Sequence, residues 1–174
     1  WAGFQELYKR KDRFNIRLLA RDSKKNHAKL DRYAGDPSVT VIWGDLTRYE
    51  DVLAGVAGSD YVLHVGGMVS PAADYYPEKT LKVNVLAAEN VVKAVLAQPN
   101  VDDIRVVYIG SVAQYGDRNP PRHWGDVNEP QTPAKYDMYA LSKIRSEEIF
   151  EKAGLKRWVS LRQSGILYPG ILNR

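Results

Sequence analysis

Short apolar runs rich in β-branched residues recur along the chain, separated by segments with a different hydrophobic period. Runs of this length, bounded by polar residues, are typical of strands that are buried on both faces. They lie at residues 15–20, 39–43, 60–65, 104–109 and 158–161. We therefore predict a buried strand at each of these positions.

Two longer segments carry apolar residues at spacings of three and four, which predicts amphipathic helices. The first, residues 78–98, follows Pro77, which suits a first helical turn, and the second, residues 136–152, precedes Gly154, a typical C-terminal stop. Strands that alternate with helices need crossover connections, so the pattern predicts an α/β fold with a doubly wound, mostly parallel sheet.

Length and composition narrow the function classes. With 174 residues, 44% of them hydrophobic, the chain has material for one domain with its own core. The net charge of +4 comes from short, scattered basic runs without an aromatic stacking platform, so we expect a solvated surface and no nucleic-acid partner. No apolar run is long enough to span a membrane and no signal-peptide pattern opens the chain, so we expect a cytoplasmic protein.

Metal and disulfide chemistry are not expected. The chain has no cysteine, which excludes disulfides and thiolate ligands. Its three histidines, His27, His64 and His123, are far apart in sequence and show no ligand spacing. We interpret His64 as a packing residue at the end of a strand.

Five motifs follow the predicted strands or open the next helix in a fixed order. They are Ala20-Arg21-Asp22, Gly44-Asp45-Leu46, His64-Val65-Gly66-Gly67, Gly110 to Gly116 (GSVAQYG), and Tyr139-Ala140-Leu141-Ser142-Lys143. In this order they resemble the extended short-chain dehydrogenase/reductase family, also called the NAD-dependent epimerase/dehydratase family. Asn84 on the long helix and the stretch from Arg162 to Gly170 extend the resemblance almost to the end of the chain. It implies a Rossmann-type, NAD(P)-binding domain.

The resemblance also predicts what this sequence lacks. The family's first strand and its glycine-rich turn precede the opening helix, and the chain starts where that helix should already run, with Phe4, Leu7 and Tyr8 on one face. We therefore expect residues 1–174 to be an incomplete NAD(P)-binding domain, with the small C-terminal substrate domain absent or barely begun. The missing strand is central in the doubly wound order, so its two neighbours should have unpaired edges beside each other.

The candidate catalytic residues are Ser111, Tyr139 and Lys143. Tyr139 and Lys143 are spaced i and i+4 and share one helix face, so the ammonium can favour the phenolate of a tyrosine whose ordinary pKa is near 10. Ser111 follows a strand, where ligands bind in open α/β sheets. We expect Tyr139 to exchange a proton, Ser111 to hold the substrate oxygen, and Lys143 to tune Tyr139. The resemblance implies that Tyr139 and Lys143 also contact the cofactor.

Arg21 bears on the choice of cofactor. Dinucleotide folds place an acidic residue on the adenine ribose after the second strand, or an arginine where a 2′-phosphate must be neutralised. Arg21 aligns with this position and favours NADP, whereas a shift of one residue to Asp22 would favour NAD. The resemblance implies further cofactor contacts at Asp45, Leu46, Val65, Gly66, Gly67, Asn84, Gln163 and Ser164. Gln163 departs from the proline usual in the family, and for Gly66 and Gly67 a loop that needs positive φ is the alternative.

These residues favour an NAD(P)-dependent enzyme that acts on a sugar nucleotide or another hydroxyl or carbonyl compound. The resemblance implies that a 4,6-dehydratase would carry acidic residues near the turn that starts at Ser111, here called the serine turn. Ser111-Val112-Ala113-Gln114 has none, which favours an epimerase or reductase over a dehydratase. The alternative is a non-catalytic NAD(P)-binding sensor or scaffold of the same fold. The resemblance implies a homodimer through the helices at 78–98 and 136–153, whose apolar faces permit it. The alternative is that these faces are buried within one chain. The long segment 116–135 is rich in Pro, Gly and Asp, and we expect it to be functional.

Overall fold

The computed structural model of the protein describes residues 1–121 and 125–166. Its helices and strands, in chain order, are α1 (Ala2–Tyr8), β1 (Ile16–Ala20), α2 (Lys24–Leu30), β2 (Val39–Trp43), α3 (Tyr49–Val56), β3 (Tyr61–His64), α4 (Ala72–Tyr75), α5 (Pro77–Leu96), β4 (Arg105–Ser111), α6 (Met138–Lys152) and β5 (Trp158–Gln163). Short 3₁₀ turns lie at Asp31–Tyr33 and Val112–Tyr115. The strands alternate with helices, as the hydrophobic pattern predicts.

Local residue chemistry sets the ends of the two long helices. Pro77 is the first residue of α5, as predicted. Helix α6 begins at Met138, two residues later than predicted, because Tyr136 has a φ of 71° and Asp137 caps the helix by accepting from the backbone N–H of Ala140 at 2.8 Å. Gly154, with a φ of 71°, follows the end of α6 in the left-handed conformation that glycine favours.

Every strand pair in the described residues is parallel. One sheet pairs β1 with β2, and the other has the order β3-β4-β5. No ladder joins β1 to β3 within residues 1–121 and 125–166, so the sheet is divided at the position where the resemblance predicts a missing central strand. The chain has an α/β, doubly wound, mostly parallel fold of the Rossmann type, which confirms the predicted fold class.

The main hydrophobic core surrounds β4. Tyr108 on this strand and Phe150 on α6 are both fully buried, and their rings stack with centroids 5.0 Å apart. Val52 on α3 and Val95 on α5 belong to the same cluster. A smaller cluster centred on Phe4 joins α1 to β1 and α2. The larger core therefore supports the strand that carries Ser111.

Helices α5 and α6 approach each other closely and are linked by polar side chains. Ala88 on α5 and Ala140 on α6 are fully buried, and such small residues allow a short distance between helices. The Asn84 Nδ2 donates to the Ser142 Oγ at 2.9 Å, and the Ser146 Oγ donates to the Asn84 carbonyl at 3.2 Å. These buried bonds fix α6, and with it Tyr139 and Lys143, relative to α5.

None of the helices that the structure describes is both long enough and apolar enough to cross a lipid bilayer.

Candidate active site

Ser111 is the last residue of β4 and lies at the carboxyl edge of the three-stranded sheet. Its Oγ accepts from the backbone N–H of Ala113 at 3.2 Å, and its own N–H donates to the Oε1 of Gln114 at 2.8 Å. This reciprocal capping box holds the 3₁₀ turn that follows. Because the Oγ accepts the bond within the turn, its hydrogen remains available to donate to a substrate oxygen.

Tyr139 and Lys143 lie in the first two turns of α6, next to the end of β4. The Lys143 side chain is buried, and its Nζ donates to the carbonyl oxygen of Ile109 at 2.7 Å. The same Nζ lies 5.8 Å from the centre of the Tyr139 ring, which is half-buried. The hydroxyl of Ser111 is close enough to Tyr139 to influence its pKa. The fold therefore brings together the three residues predicted to be catalytic.

Burial has the largest effect on the electrostatics of Tyr139. Burial raises the pKa of its phenol, and the Ser111 hydroxyl acts in the opposite direction without reversing the shift. Burial also lowers the pKa of Lys143 to about 8. The Nζ of Lys143 donates to the carbonyl of Ile109 in this arrangement and lies 5.8 Å from the centre of the Tyr139 ring.

Arg21 and Asp45 lie at the carboxyl ends of the paired strands β1 and β2. Arg21 is exposed, and its carbonyl accepts from the side chain of Asn26 at 2.8 Å. The backbone N–H and hydroxyl of Thr47 hold the pKa of Asp45 below its usual range, and the charge of Arg21 adds a smaller effect. The two predicted cofactor residues therefore share one edge of the sheet.

Asp22, the alternative to Arg21, is bound to a neighbouring histidine. The Nε2 of His27 lies 3.0 Å from the Asp22 carboxylate, and its Nδ1 lies 2.8 Å from that of Asp31. The His27 ring stacks on Trp43 with ring centroids 3.9 Å apart. The bond to Asp31 is the main reason that the pKa of His27 is raised. Sequence analysis did not single out this contact between His27 and Asp22.

Gly66 and Gly67 lie close to the side chains of Leu46 and Asn84. A Cβ at Gly66 would lie 2.4 Å from the Cδ1 of Leu46, and one at Gly67 would lie 2.9 Å from the Oδ1 of Asn84. Neither glycine has a positive φ, so the alternative of a left-handed loop does not apply. Val65 beside them is exposed.

Asn84 binds the segment that follows these glycines. Its Oδ1 accepts from the backbone N–H of Met68 at 2.7 Å, and its Nδ2 donates to the carbonyl of the same residue at 3.0 Å. Because the Nδ2 also donates to Ser142, one buried amide joins this segment to the helix that carries Tyr139 and Lys143.

The last predicted residues lie at the end of β5. Gln163 pairs with Ser111 in the parallel register and is exposed, as is Ser164. The predicted match at Tyr168-Pro169-Gly170 lies outside the described residues, as does His123. Within the described residues, no group of three or more His, Asp or Glu side chains could hold a metal ion.

Arg162 and Glu147 form a partly buried ion pair next to the serine turn, with the Nη2 of Arg162 at 2.6 Å from the Oε1 of Glu147. No motif in the sequence points to Glu147, and Arg162 stands out only as part of the family resemblance. The available signal was the spacing from Lys143 to Glu147, which places both on one face of α6.

Known proteins resemble this chain in sequence and in fold. The model of the NAD dependent epimerase/dehydratase family matches residues 5–162. The 3 beta-hydroxysteroid dehydrogenase type 7 of Rattus norvegicus is 30% identical over 139 residues, which are 79% of this chain and 40% of that protein. The UDP-glucose 4-epimerase of Rickettsia bellii is 32% identical over 85 residues, 48% of this chain and 25% of that protein.

Similar solved structures include the Thermus thermophilus UDP-glucose 4-epimerase in complex with NAD. It matches with a TM-score of 0.70 and 21% identity, over 91% of this chain and 49% of that one. The chain thus spans less than half the length of these relatives. The family match, which covers most of the sequence, shows that the chain belongs to the NAD-dependent epimerase/dehydratase family.

Proposed function

We propose that the protein is an NAD(P)-dependent oxidoreductase or epimerase that acts on a nucleotide sugar or another hydroxyl or carbonyl compound. The observation that carries this proposal is the convergence of Ser111, Tyr139 and Lys143 at the carboxyl end of β4. A hydroxyl donor, a phenol and an ammonium at one sheet edge are the groups needed to move a proton on a substrate alcohol.

Residues at the carboxyl ends of β1, β2 and β3 fit a bound dinucleotide. Arg21 offers an exposed cation and Asp45 an acceptor at the ends of adjacent strands, while the segment at Gly66 and Gly67 presents no side chain. Arg21 would bind the ribose or its phosphate, and Asp45 and Leu46 would flank the adenine. The rest of the dinucleotide would be contacted or supported by Val65, Asn84, Gln163 and Ser164. The bound nicotinamide would supply or accept the hydride.

The protein's residues would divide the proton chemistry. Ser111 would donate its hydroxyl hydrogen to the substrate oxygen, and Tyr139 would accept or return the proton at its phenol oxygen. The raised pKa of Tyr139 keeps its phenol protonated at neutral pH in this arrangement. An ammonium that turned from the Ile109 carbonyl toward the phenol would favour the phenolate, so we assign Lys143 the tuning role.

Replacement of Tyr139 by Phe in the whole protein tests this function. We expect Tyr139→Phe to lower turnover about 100-fold or more while cofactor binding is retained, because the phenol moves the proton. UDP-glucose, assayed for its C4 epimer, and a 3β-hydroxysteroid, assayed for nicotinamide reduction, are suitable probes. Tyr136→Phe is the matched control, since Tyr136 lies three residues away and is exposed. Undiminished turnover in Tyr139→Phe would contradict the proposed role.

We propose NADP as the preferred cofactor. Arg21 is exposed, whereas the carboxylate of Asp22 is bound to His27 and is less free to bind a ribose. Arg21→Ala should weaken NADP binding about 10-fold, the size expected for lost bonds to a charged group, and leave NAD binding nearly unchanged. Dissociation constants for both cofactors measure this, with Lys24→Ala as a control of equal charge loss. Tighter binding of NAD by the unaltered protein would refute the preference.

A non-catalytic NAD(P)-binding sensor is the second candidate. Two observations favour it: burial raises the pKa of Tyr139, and the Nζ of Lys143 donates to the carbonyl of Ile109. Tight cofactor binding without hydride transfer to any hydroxyl or carbonyl probe would support the sensor over the enzyme.

We also propose that two copies associate through α5 and α6. A groove between these helices is lined by Leu81, Val85 and Met138, with Glu78 and Arg145 among its charged residues. Sedimentation of the unaltered protein should show a dimer, and Val85→Lys should shift it to the monomer. A monomer at all concentrations would refute the proposal.

A further inference from the structure

Arg162 lies at the centre of a hydrogen-bonded network next to the serine turn. Its Nε and Nη2 both face the carboxylate of Glu147, at distances of 2.6 to 3.2 Å, in the fork geometry that arginine forms with carboxylates. The Glu147 side chain is only 3% exposed and that of Arg162 is 16% exposed. Burial alone would raise the pKa of Glu147, but the bonds from Arg162 and Gln114 outweigh burial and lower it.

The network reaches Ser111 through Gln114. The Nε2 of this fully buried side chain donates to the Glu147 Oε2 at 2.8 Å, while its Oε1 accepts from the backbone N–H of Ser111 at 2.8 Å. A Cβ at Gly110 would lie 2.8 Å from this Oε1 and 3.0 Å from the Cγ of Arg162, so the turn and the arginine leave no room between them. The position of Ser111 therefore depends on Gln114, which is held in turn by Glu147.

The remaining arm of Arg162 binds the segment after the serine turn. Its Nη1 donates to the hydroxyl of Tyr115 and, at 2.9 Å, to the carbonyl of Val127. The Tyr115 hydroxyl in turn donates to the same carbonyl at 3.1 Å. Gly116 follows with a φ of 65°, where a Cβ would lie 2.2 Å from the Thr132 carbonyl. One guanidinium thus holds both the serine turn and the segment that passes over it.

We propose that Arg162, acting through Glu147 and Gln114, is a positioning residue that sets the place of the Ser111 hydroxyl and of the segment around Val127. The inference rests on the proposed function, in which Ser111 binds the substrate oxygen. Arg162 touches neither substrate nor cofactor in this role. Its bidentate bond to Glu147 links the Ser111 hydroxyl to the segment around Val127. Loss of that bond would therefore displace both.

Arg162→Lys and Glu147→Gln test the proposal in the whole protein loaded with cofactor. Arg162→Lys keeps the charge and removes the fork, whereas Glu147→Gln keeps the shape and removes the charge. Matched controls are Arg157→Lys, whose arginine pairs with Asp103 at the surface, and Glu148→Gln, whose glutamate pairs with Lys152. Tyr115→Phe is a milder variant that removes one hydroxyl of the network and keeps the partly buried ion pair.

Two readouts separate positioning from a merely structural role. For Arg162→Lys and Glu147→Gln we expect kcat to fall about 10-fold to 100-fold, the range for a displaced reacting group, with the cofactor dissociation constant within about twofold of the unaltered value. Tyr115→Phe should lower kcat about fivefold, as one hydrogen bond is lost. Hydrogen exchange should accelerate at the amides of residues 111–115 and 125–130 while the α5 amides keep their rates.

Each variant gives a result that supports or refutes the positioning role of Arg162. If stability falls but kcat per folded molecule and exchange at residues 111–115 stay at control values, the positioning role is refuted. If Arg162→Lys and Glu147→Gln fail to fold, Tyr115→Phe decides by the same two readouts. If the unaltered protein binds cofactor but turns over no probe, the proposed function fails instead, and the exchange data still decide whether Arg162 positions the turn.

Discussion

His64 makes the stability of this protein depend on pH, and the size of the effect follows from its surroundings. The side chain is 6% exposed and faces the rings of Tyr108 and Phe150, with centroids 5.8 and 6.0 Å away. Burial, with a smaller contribution from the charge of Lys143, lowers the pKa of His64 from 6.5 to about 4. The folded protein therefore holds His64 neutral in a range where the unfolded chain binds a proton.

The sign and magnitude follow from proton linkage. Between pH 6.5 and about 4 the unfolded state binds more protons at this residue, so the free energy of unfolding decreases as the pH falls. From pH 7 to pH 5 the loss is about 2 kcal/mol, because each unit of pKa difference is worth about 1.4 kcal/mol. A typical urea dependence of about 2 kcal/mol per molar makes this a fall of about 1 M in the unfolding midpoint.

Urea unfolding at pH 7 and pH 5 measures the effect in the unaltered protein and in His64→Phe. The variant keeps a flat ring in the aromatic cluster and cannot bind a proton, so its midpoint should fall by about 1 M less between the two pH values. His27→Gln is the control of opposite sign: the pKa of His27 is raised, so its contribution is present below the unfolded pKa and lost as the pH rises.

Parallel loss of stability in the unaltered protein and in His64→Phe would refute this reasoning. So would an imidazole proton resonance of His64 that titrates near pH 6.5, since that would show that the folded state accepts the charge.

Two further predictions concern the packing that supports the site. Asn84→Ala should lower the free energy of unfolding by about 2 to 3 kcal/mol, because it leaves the partners of Asn84 at Met68 and Ser142 unpaired. Urea unfolding measures this loss, and the Met68 amide should exchange faster. Stability within about 0.5 kcal/mol of the unaltered protein, the limit for ordinary surface changes, would contradict this. Phe150→Ala should lower it by about 3 to 5 kcal/mol, since the fully buried ring stacks on Tyr108 and Trp158. A loss below about 1 kcal/mol in urea unfolding would contradict it.

The strands and the long helices were predictable because their signals are local. Each apolar run marks a strand within two residues of its observed bounds, and Pro77 marks the start of α5. The end of β4 was harder, because the strand continues through Gly110 to Ser111, where pairing with β5 outweighs the low strand propensity of glycine. The start of α6 depends on the backbone conformation of Tyr136, which the apolar period does not encode.

The candidate site was predictable in its members and less so in its interactions. Ser111, Tyr139 and Lys143 were identified by motif and order, but the bond from Lys143 to Ile109 depends on how deeply the lysine is buried. The roles of Glu147 and Arg162 were missed because their partners, Gln114 and Val127, lie tens of residues away in the chain. Such contacts exist only once parallel strands have set the register.

The parallel pairing of the strands has a consequence for how the chain folds. Val39 pairs with Ile16, Arg105 with Tyr61, and Trp158 with Val106, so each ladder joins residues more than 20 positions apart and must wait for the chain between them to close. Loop closure of this length gives a high contact order and slow folding. Until the ladders close, the strands expose backbone groups that another copy could pair with. Refolding yield should therefore fall as protein concentration rises, and refolding at high dilution should restore it.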